Sequence, residues 1–444
     1  MHEPTSPQDH APQDHATKPA VPPAHWPHHL ELTALRPAQS TPSVARRSAV
    51  ESSPTPSAVE SSQTNVLPRN SSPSVPQAEA LELTSVWQLT SPNAADASFA
   101  GGTGAFAYRR VDHPNARSLA TKLAALHAGA RAVVTAQGMS SLAAIAMTAL
   151  RPSAQVWLGN ELYGETSQLF STCLKPWGVR TRTFDPTDPS DLHKLASEAV
   201  DMVVVETITN PRGSVPDLAL VARATHDAGG LLVVDNTFAT HLLCQPLQLG
   251  ADLVIESLGK IVNGHSDGMA GMVCGRDEQL LAGIAATVKT FGLTSSPLDC
   301  YLTHRGLLSL SVRMERACAN ALALAHALSQ VPGITRVDYP GLVTSPQHFV
   351  ASRQLIGGYG WMLSFQIAPQ RAAVERLCAA LRPEICFVPS LGDATTTLSH
   401  PLSTSHRATP AEQREQLGID EGTIRISCGI EPTEWLVDRF LQAF

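Results

Sequence analysis

One lysine of this chain stands where an apolar, strand-like segment ends. The segment is VIESLGKIVNGHSDGM, residues 254–269, in which the strand pattern delivers Ser257 and Lys260 into a loop of small and polar residues. A lysine amine in such a place can form an imine with a carbonyl compound. Taken alone, the pattern is more typical of an ordinary solvated strand end.

Two further segments place reactive groups after strand-like runs. The run LLVVD ends in Asp235, a carboxylate that needs a cationic partner or several hydrogen bonds if it is buried. The run RAVVTA is followed by Gln137, Gly138, Met139 and Ser140, which open a helical pattern, and the free amides of a helix start suit a phosphate. Each has an ordinary alternative, which is a helix cap or loop anchor for the carboxylate and a simple turn for the glycine.

Alternating patterns predict the elements that position these groups. Strand-like runs such as DMVVVET and LLVVDNT alternate with helical runs such as MSSLAAIAMTAL and LALVARATHDAG. This alternation predicts an α/β fold with a mostly parallel sheet and helices on both faces. Ligands of such sheets bind beyond the carboxyl ends of the strands, which is where Lys260, Asp235 and Gly138 are expected to lie.

A lysine amine, a carboxylate and an anion site together are what pyridoxal 5'-phosphate (PLP) requires. The lysine forms the imine, and the carboxylate keeps the pyridine nitrogen protonated so that the ring can accept electrons. Competing motifs are poor, because no GxxxxGK[ST] occurs and GGTGAF lacks both a preceding strand and the full dinucleotide fingerprint. The eight cysteines form no CxxC pair, so no metal site is predicted.

Composition sets the class of protein and its domains. The net charge of −7 gives no reason to expect nucleic acid as a partner, and no apolar run approaches the roughly 18 residues of a membrane span. Without a signal-peptide pattern and with scattered cysteines, the chain is predicted to be cytoplasmic. Residues 1–80 are predicted to be a disordered Pro/Ser/His-rich extension. Residues 81–288 are predicted to form the large cofactor-binding α/β domain, and residues 289–444 a smaller C-terminal α+β domain.

Ten segments, in this order, resemble the cysteine/methionine-metabolism family of PLP enzymes. They are YRRVDHPNARSLATKLAAL, QGM, ELYGETSQLF, ETITNP, LVVDNTFAT, SLGKIVNGHSD, RGLLSLSVRMERACANALALA, VDYPGL, SLGDATTTLSHP and IRISCGIE, and they run from about residue 85 to the C-terminus. The family includes cystathionine γ-synthase, cystathionine β- and γ-lyases, methionine γ-lyase and the homoserine sulfhydrylases. The resemblance implies the fold type I of PLP-dependent transferases.

The resemblance also implies roles around the ring of the cofactor. Lys260 would be the Schiff-base lysine and Asp235 the partner of the pyridinium. Tyr163 would stack on the ring and exchange protons with the substrate, and Asn210 would contact the phenolic oxygen.

Further implied contacts lie at the phosphate and at the substrate carboxylate. Gly138 and Met139 would give backbone amides to the phosphate, and Ser257 would add its hydroxyl. Arg425 would bind the substrate carboxylate in a bidentate fork, supported by Ser390.

Two residues are expected to act across a subunit boundary. Tyr108 and Arg110 match residues that in the family reach into the site of the neighbouring subunit. The resemblance therefore implies at least a dimer, and usually a homotetramer built from two dimers.

Several positions depart from the family pattern. Gly259 stands where a Thr or Ser usually contacts the phosphate, so one hydrogen bond to the cofactor is expected to be missing. Glu256 replaces a usual His, and Glu165 replaces a smaller residue just after Tyr163. Pro389 stands where some cystathionine-handling members have a Glu.

The favoured function is transsulfuration of the cystathionine γ-synthase type, in which an O-acylhomoserine loses its Cγ substituent and gains a thiol. The alternatives are a cystathionine β- or γ-lyase, a methionine γ-lyase or a homoserine sulfhydrylase, the last because LGDATTTLSHPLSTSH also resembles sulfhydrylases. A non-catalytic homologue is the alternative of a different class, prompted by Gly259.

Overall fold

The computed structural model describes residues 77–100, 105–407 and 409–444. Most of the predicted disordered extension, residues 1–80, lies outside these ranges. In the described part of the chain no helix is both long enough and apolar enough to cross a bilayer.

A seven-stranded sheet forms the centre of the larger part of the molecule. Its strands are β1 (Arg131–Thr135), β2 (Gln155–Gly159), β3 (Arg180–Phe184), β4 (Met202–Glu206), β5 (Leu231–Asp235), β6 (Leu253–Ser257) and β7 (Gly271–Gly275). Their order across the sheet is β1-β7-β6-β5-β4-β2-β3. β2 to β6 pair in parallel and β7 is antiparallel to both of its neighbours, so the sheet is mostly parallel, as predicted.

A second sheet of five strands lies in the C-terminal part of the chain. Its strands are β8 (Arg336–Asp338), β9 (Met362–Gln366), β10 (Cys386–Phe387), β11 (Thr397–Ser399) and β12 (Thr423–Ser427). Their order is β10-β11-β12-β9-β8, and β12 is antiparallel to both β11 and β9.

Fourteen α-helices occur in the described residues. They are α1 (Pro92–Phe99), α2 (Pro114–Leu126), α3 (Gly138–Ala149), α4 (Gly164–Gln168), α5 (Pro189–Ser197), α6 (Leu218–Asp227), α7 (Thr240–Leu243), α8 (Glu278–Phe291), α9 (Pro297–Leu307), α10 (Leu310–Leu328), α11 (His348–Gln354), α12 (Arg371–Leu381), α13 (Ala411–Gln416) and α14 (Thr433–Leu441). The predicted domain boundary at residue 288 falls inside α8, which packs on α3 beside the large sheet. The elements of the second sheet therefore begin after this helix.

Apolar layers cover both faces of the large sheet, because its central strands are buried on both sides. In β4, Val203 and Val205 pack into the layer that contains α2 and α6. Met202 and Val204 point to the other face and pack into the layer of α3 and α8. Helix α10 joins the two sheets. Its first half packs with the layer of α2 and α6, and its second half packs with the core of the second sheet.

Residues 79–87, called the strap below, run along α2 and then pair with residues 107–109. Trp87 N donates to Ala107 O at 3.0 Å, and Arg109 N donates to Ser85 O at 2.9 Å. The strap begins at Glu79, whose carboxylate contacts four donors. They are Lys122 Nζ at 2.8 Å, Ser118 Oγ at 2.8 Å, Asn115 Nδ2 at 3.3 Å and His304 Nδ1 at 3.3 Å. The last residues of the predicted extension, from 77 to 80, thus lie in the described part of the chain, where Glu79 meets a buried cation that composition does not show.

Candidate active site

Lys260 lies in the turn that follows β6, at the carboxyl edge of the large sheet. Its Nζ donates to Ser390 Oγ at 3.1 Å, so the second sheet's loop reaches the amine. Burial, followed by the charge of Arg425, lowers the pKa of Lys260. The amine is therefore more readily neutral, and hence nucleophilic, than a solvated lysine.

A glycine holds the Ser390 loop against the lysine. Gly392 has a φ of +86°, and a Cβ on it would overlap Ile261 N and lie 2.8 Å from the carbonyl carbon of Lys260. Gly392 N also donates to Ser427 Oγ at 2.9 Å. Only a residue without a side chain permits this approach, and sequence reasoning did not find it.

Asp235 ends β5 and stays partly accessible at the same edge. Its Oδ1 accepts from Thr237 N at 3.0 Å and from Thr237 Oγ1 at 2.5 Å. Burial raises the pKa of Asp235 to about 6, and the hydrogen bonds from Thr237 oppose this rise. The Thr237 hydroxyl in turn accepts from Ser257 N at 2.9 Å, which ties β5 to β6.

The start of α3 provides unpaired amides next to Ser257. Gln137, which precedes the helix, makes no side-chain capping bond, so the first N–H groups of α3 have no side-chain partner. A Cβ on Gly138 would lie 3.0 Å from Ser257 Cβ, so the glycine lets the helix start approach that hydroxyl. Orphan amides at a helix start and a nearby hydroxyl suit a phosphate.

Tyr163 precedes the short helix α4 and is 38% exposed. Its backbone N donates to Glu206 Oε1 at 2.7 Å. Burial, followed by the carboxylate of Glu165, raises the pKa of the Tyr163 phenol, whereas Arg425 lowers it. The phenol therefore keeps its proton at neutral pH.

Arg425 lies on β12 and is only 2% exposed. It donates to Asn210 Oδ1 at 2.9 Å and to Ser405 Oγ at 3.4 Å. Within the ranges that the structure describes, Arg425 forms no ion pair with a carboxylate, and burial lowers its pKa to about 10. A buried guanidinium without an anion is ready to bind one.

These groups fit the cofactor that the sequence predicts. The structure brings together a nucleophilic amine on Lys260, a carboxylate on Asp235, a phosphate-type donor set at Gly138, Met139 and Ser257, and an unpaired cation on Arg425.

Tyr108 and Arg110 make their contacts elsewhere. Arg110 donates to Lys289 O at 3.0 Å and lies over the Tyr108 ring, 5.3 Å from its centroid. Tyr108 is 41% exposed. Their predicted action in a neighbouring subunit stays a prediction.

The departures from the family pattern have different structural settings. A Cβ on Gly259 would lie 2.8 Å from Gly268 O, so the chain before β7 occupies the space of the missing side chain. Glu256 is fully buried on the face of the sheet opposite to Ser257. There its carboxylate contacts His127 Nε2 at 3.3 Å and Asn236 Nδ2 at 3.1 Å. Glu165 is exposed.

Comparison with known proteins identifies related sequences and structures. The model of a family described as "Cys/Met metabolism PLP-dependent enzyme" matches residues 64–444. O-succinylhomoserine sulfhydrylase of Pseudomonas aeruginosa is 37% identical over 80% of this chain and 87% of that protein. L-methionine gamma-lyase of Pseudomonas putida is 36% identical over 78% and 87%, respectively. Cystathionine gamma-synthase of Xanthomonas oryzae pv. oryzae, solved in complex with cystathionine, superposes with a TM-score of 0.78 and 34% identity, covering 83% of this chain and 92% of that one.

Proposed function

The chain belongs to the Cys/Met metabolism family of PLP-dependent enzymes, and we propose that within this family it catalyses γ-replacement on an O-acylhomoserine. The predicted resemblance, the fold type I and the cofactor PLP are confirmed. The chain is a transsulfuration enzyme. The alternative of a non-catalytic homologue is therefore dropped.

The choice of γ-replacement rests on the lack of a free carboxylate in the loop that carries Ser390. Pro389 supplies no carboxylate beside Ser390, and the nearby Asp393 uses its oxygens internally. Asp393 Oδ2 accepts from Ser266 Oγ at 2.5 Å, and Oδ1 accepts from Thr395 N at 2.9 Å. A substrate with a distal ammonium, such as cystathionine, therefore finds no free carboxylate in this loop. An acyl ester at Cγ has no distal ammonium and needs no such carboxylate, and the similarity to O-succinylhomoserine sulfhydrylase agrees with an acylhomoserine as substrate.

The residues of the chain have separable tasks in this reaction. Arg425 binds the α-carboxylate of the amino acid, and Asn210 keeps the guanidinium in place. Lys260 takes the proton from Cα as a general base, with Ser390 orienting its amine. When bound, PLP would supply the electron sink for the electron pair left at Cα, and Asp235 would hold the proton of the ring nitrogen. Tyr163 holds a phenolic proton beside the reacting carbons.

Glu165 favours a second candidate. Its exposed carboxylate follows Tyr163 directly, where it can attract a distal ammonium group. On that basis the second candidate is a carbon–sulfur lyase that cleaves cystathionine.

The two candidates differ in which mixtures they convert. The enzyme should be given O-succinyl- or O-acetylhomoserine with cysteine or sulfide, and in separate reactions cystathionine alone and methionine alone. A thioether or homocysteine from the first mixture supports γ-replacement. Pyruvate and homocysteine from cystathionine, with neither ester used, overturns it in favour of a β-lyase. Glu165→Gln is the matched variant, because it should weaken only the use of cystathionine.

We further propose a cytoplasmic homotetramer built from two dimers, in which Tyr108 and Arg110 complete the neighbouring site. Exposed apolar side chains on the paired segments support an interface there, since Leu83 is 60% and Val86 is 61% exposed. All eight cysteines are free, which agrees with a reducing compartment.

A further inference from the structure

Glu206 ends β4 between two residues of the proposed cofactor site. Its side chain is buried, with 6% exposed. Oε1 accepts from Tyr163 N at 2.7 Å, and Oε2 accepts from Asn210 N at 3.0 Å. One buried carboxyl group thus binds the main chain at both Tyr163 and Asn210.

The two peptide N–H groups belong to loops that follow different strands. Tyr163 comes after β2, and Asn210 comes after β4 itself. Neither loop is held at that point by a strand ladder. Besides Glu206, the hydrogen bond from Thr209 Oγ1 to Glu161 Oε2 at 2.5 Å joins the two loops, but it lies one to two residues away from Tyr163 and Asn210. Each oxygen of Glu206 accepts from one of these loops, and a buried N–H group left without an acceptor is costly.

Glu206 also stands beside the ring-nitrogen carboxylate. It pairs in register with Asp235 on the neighbouring strand. Burial, and then the charge of Asp235, raise the pKa of Glu206 well above its ordinary range, whereas the two N–H donors lower it.

We propose that Glu206 is a positioning residue that fixes the separation of Tyr163 and Asn210, and through Asn210 the direction of Arg425. The inference rests on the roles proposed above for those three residues. The side chain of Asn210 accepts from Arg425 at 2.9 Å while its main chain donates to Glu206, so a shift of this loop moves the binding site of the substrate carboxylate. Glu206 itself touches neither cofactor nor substrate in this scheme.

Glu206→Gln tests the proposal, because the amide keeps the shape but turns an NH₂ group toward one of the two N–H donors. The full-length protein is stripped of PLP and titrated with PLP, and the visible circular dichroism of the reloaded protein is recorded. Leaving one of these buried N–H groups without an acceptor should raise the cofactor Kd about tenfold. We also expect a changed dichroism, because Tyr163 is displaced, and a KM that rises at least as much as kcat falls.

Asp252→Asn is the matched control. Asp252 Oδ2 accepts from Leu232 N at 2.7 Å at the other end of β5, so it is also a carboxylate that binds a main-chain amide of the large sheet. We expect this variant to lower the melting temperature without changing the cofactor Kd, the dichroism or KM. If Glu206→Gln behaves in the same way, Glu206 is merely structural and the proposal is overturned.

Glu206→Asp decides the matter if the glutamine variant does not fold. It keeps the carboxyl group but withdraws it by roughly 1.5 Å, so the cofactor Kd should rise by a smaller factor. A wild-type Kd and dichroism in a folded Glu206→Asp protein overturn the proposal. The cofactor Kd and the dichroism need no substrate, so they stand even if O-acylhomoserines are not used and the proposed function fails.

Discussion

Replacing Glu79 with alanine is expected to release the strap from α2. The ammonium of Lys122 is 5% exposed and lies 2.8 Å from the Glu79 carboxylate, which is 14% exposed. Without Glu79, Lys122 keeps the oxygen of Ser118 at 2.9 Å and Nε2 of His304 at 2.9 Å, but it loses its counter-charge. Removing one partner of a buried ion pair costs about 3–5 kcal/mol. Because two neutral partners remain, we expect the lower end of this range.

The loss should appear first as local opening of the strap, whose free energy is below that of global unfolding. The amides of Trp87 and Arg109, which bond to Ala107 and Ser85, report on this opening by hydrogen exchange. A loss of about 3 kcal/mol accelerates their exchange on the order of 100-fold. Activity should also fall, because the strap holds the segment that carries Tyr108.

Two variants and one truncation control for other causes. Combining Glu79→Ala with Lys122→Met removes both charges and should restore much of the protection, since an apolar replacement of a buried pair is often neutral. Glu79→Gln keeps an acceptor and should give a smaller effect. Removing residues 1–76 leaves Glu79 in place and should change neither exchange nor activity. Wild-type exchange at Trp87 and Arg109 in the Glu79→Ala protein refutes the anchoring role.

The remaining predictions concern the site itself. Lys260→Ala should abolish the visible cofactor absorption and turnover, and mixing it with inactive Arg110→Ala should restore some activity through mixed dimers; persistent inactivity of verified mixed dimers would mean that one chain builds each site. Ionised Asp235 must hold the N–H of the cofactor ring. The affinity for PLP should therefore fall about tenfold per pH unit as the pH drops below the Asp235 pKa of about 6. An analogue without the ring nitrogen should show no such loss. Gly392→Ala should destabilise the fold by at least about 2 kcal/mol and weaken cofactor binding, whereas Gly229→Ala, at a φ of +77° with nothing within 4 Å, should show only the smaller backbone strain in chemical denaturation.

Much of the site could be predicted because parallel strands deliver their last residues to one edge. Lys260, Asp235 and Gly138 lie at the carboxyl ends of three buried strands. An amine, a carboxylate and an anion site together predict PLP even before the family is considered. Glu206 could have been placed at this edge by the same reasoning, since it also ends a buried strand. Its position next to Asp235, however, follows from the order of the strands. That order depends on the pairing of β4 with β5, which local patterns do not determine.

Contacts between distant parts of the chain were beyond such reasoning. Ser390 was assigned only by resemblance, and its contact with Lys260 spans 130 positions through the close approach of Gly392. Glu79 was missed for a different reason. Composition averages over a window, and a single anchoring carboxylate at the end of a polar stretch does not change that average.

The close approach of Gly268 to Gly259 bears on attempts to improve this enzyme by restoring consensus residues. A hydroxyl residue at position 259 looks like a gain of one contact to the cofactor, yet its Cβ would lie 2.8 Å from Gly268 O and 3.3 Å from Met269 Cα. A side chain at position 259 therefore fits only if the main chain at 268 and 269 moves away. A library that varies position 259 should vary 268 and 269 in the same clones, because single-site scanning will score the consensus residue as harmful and discard it.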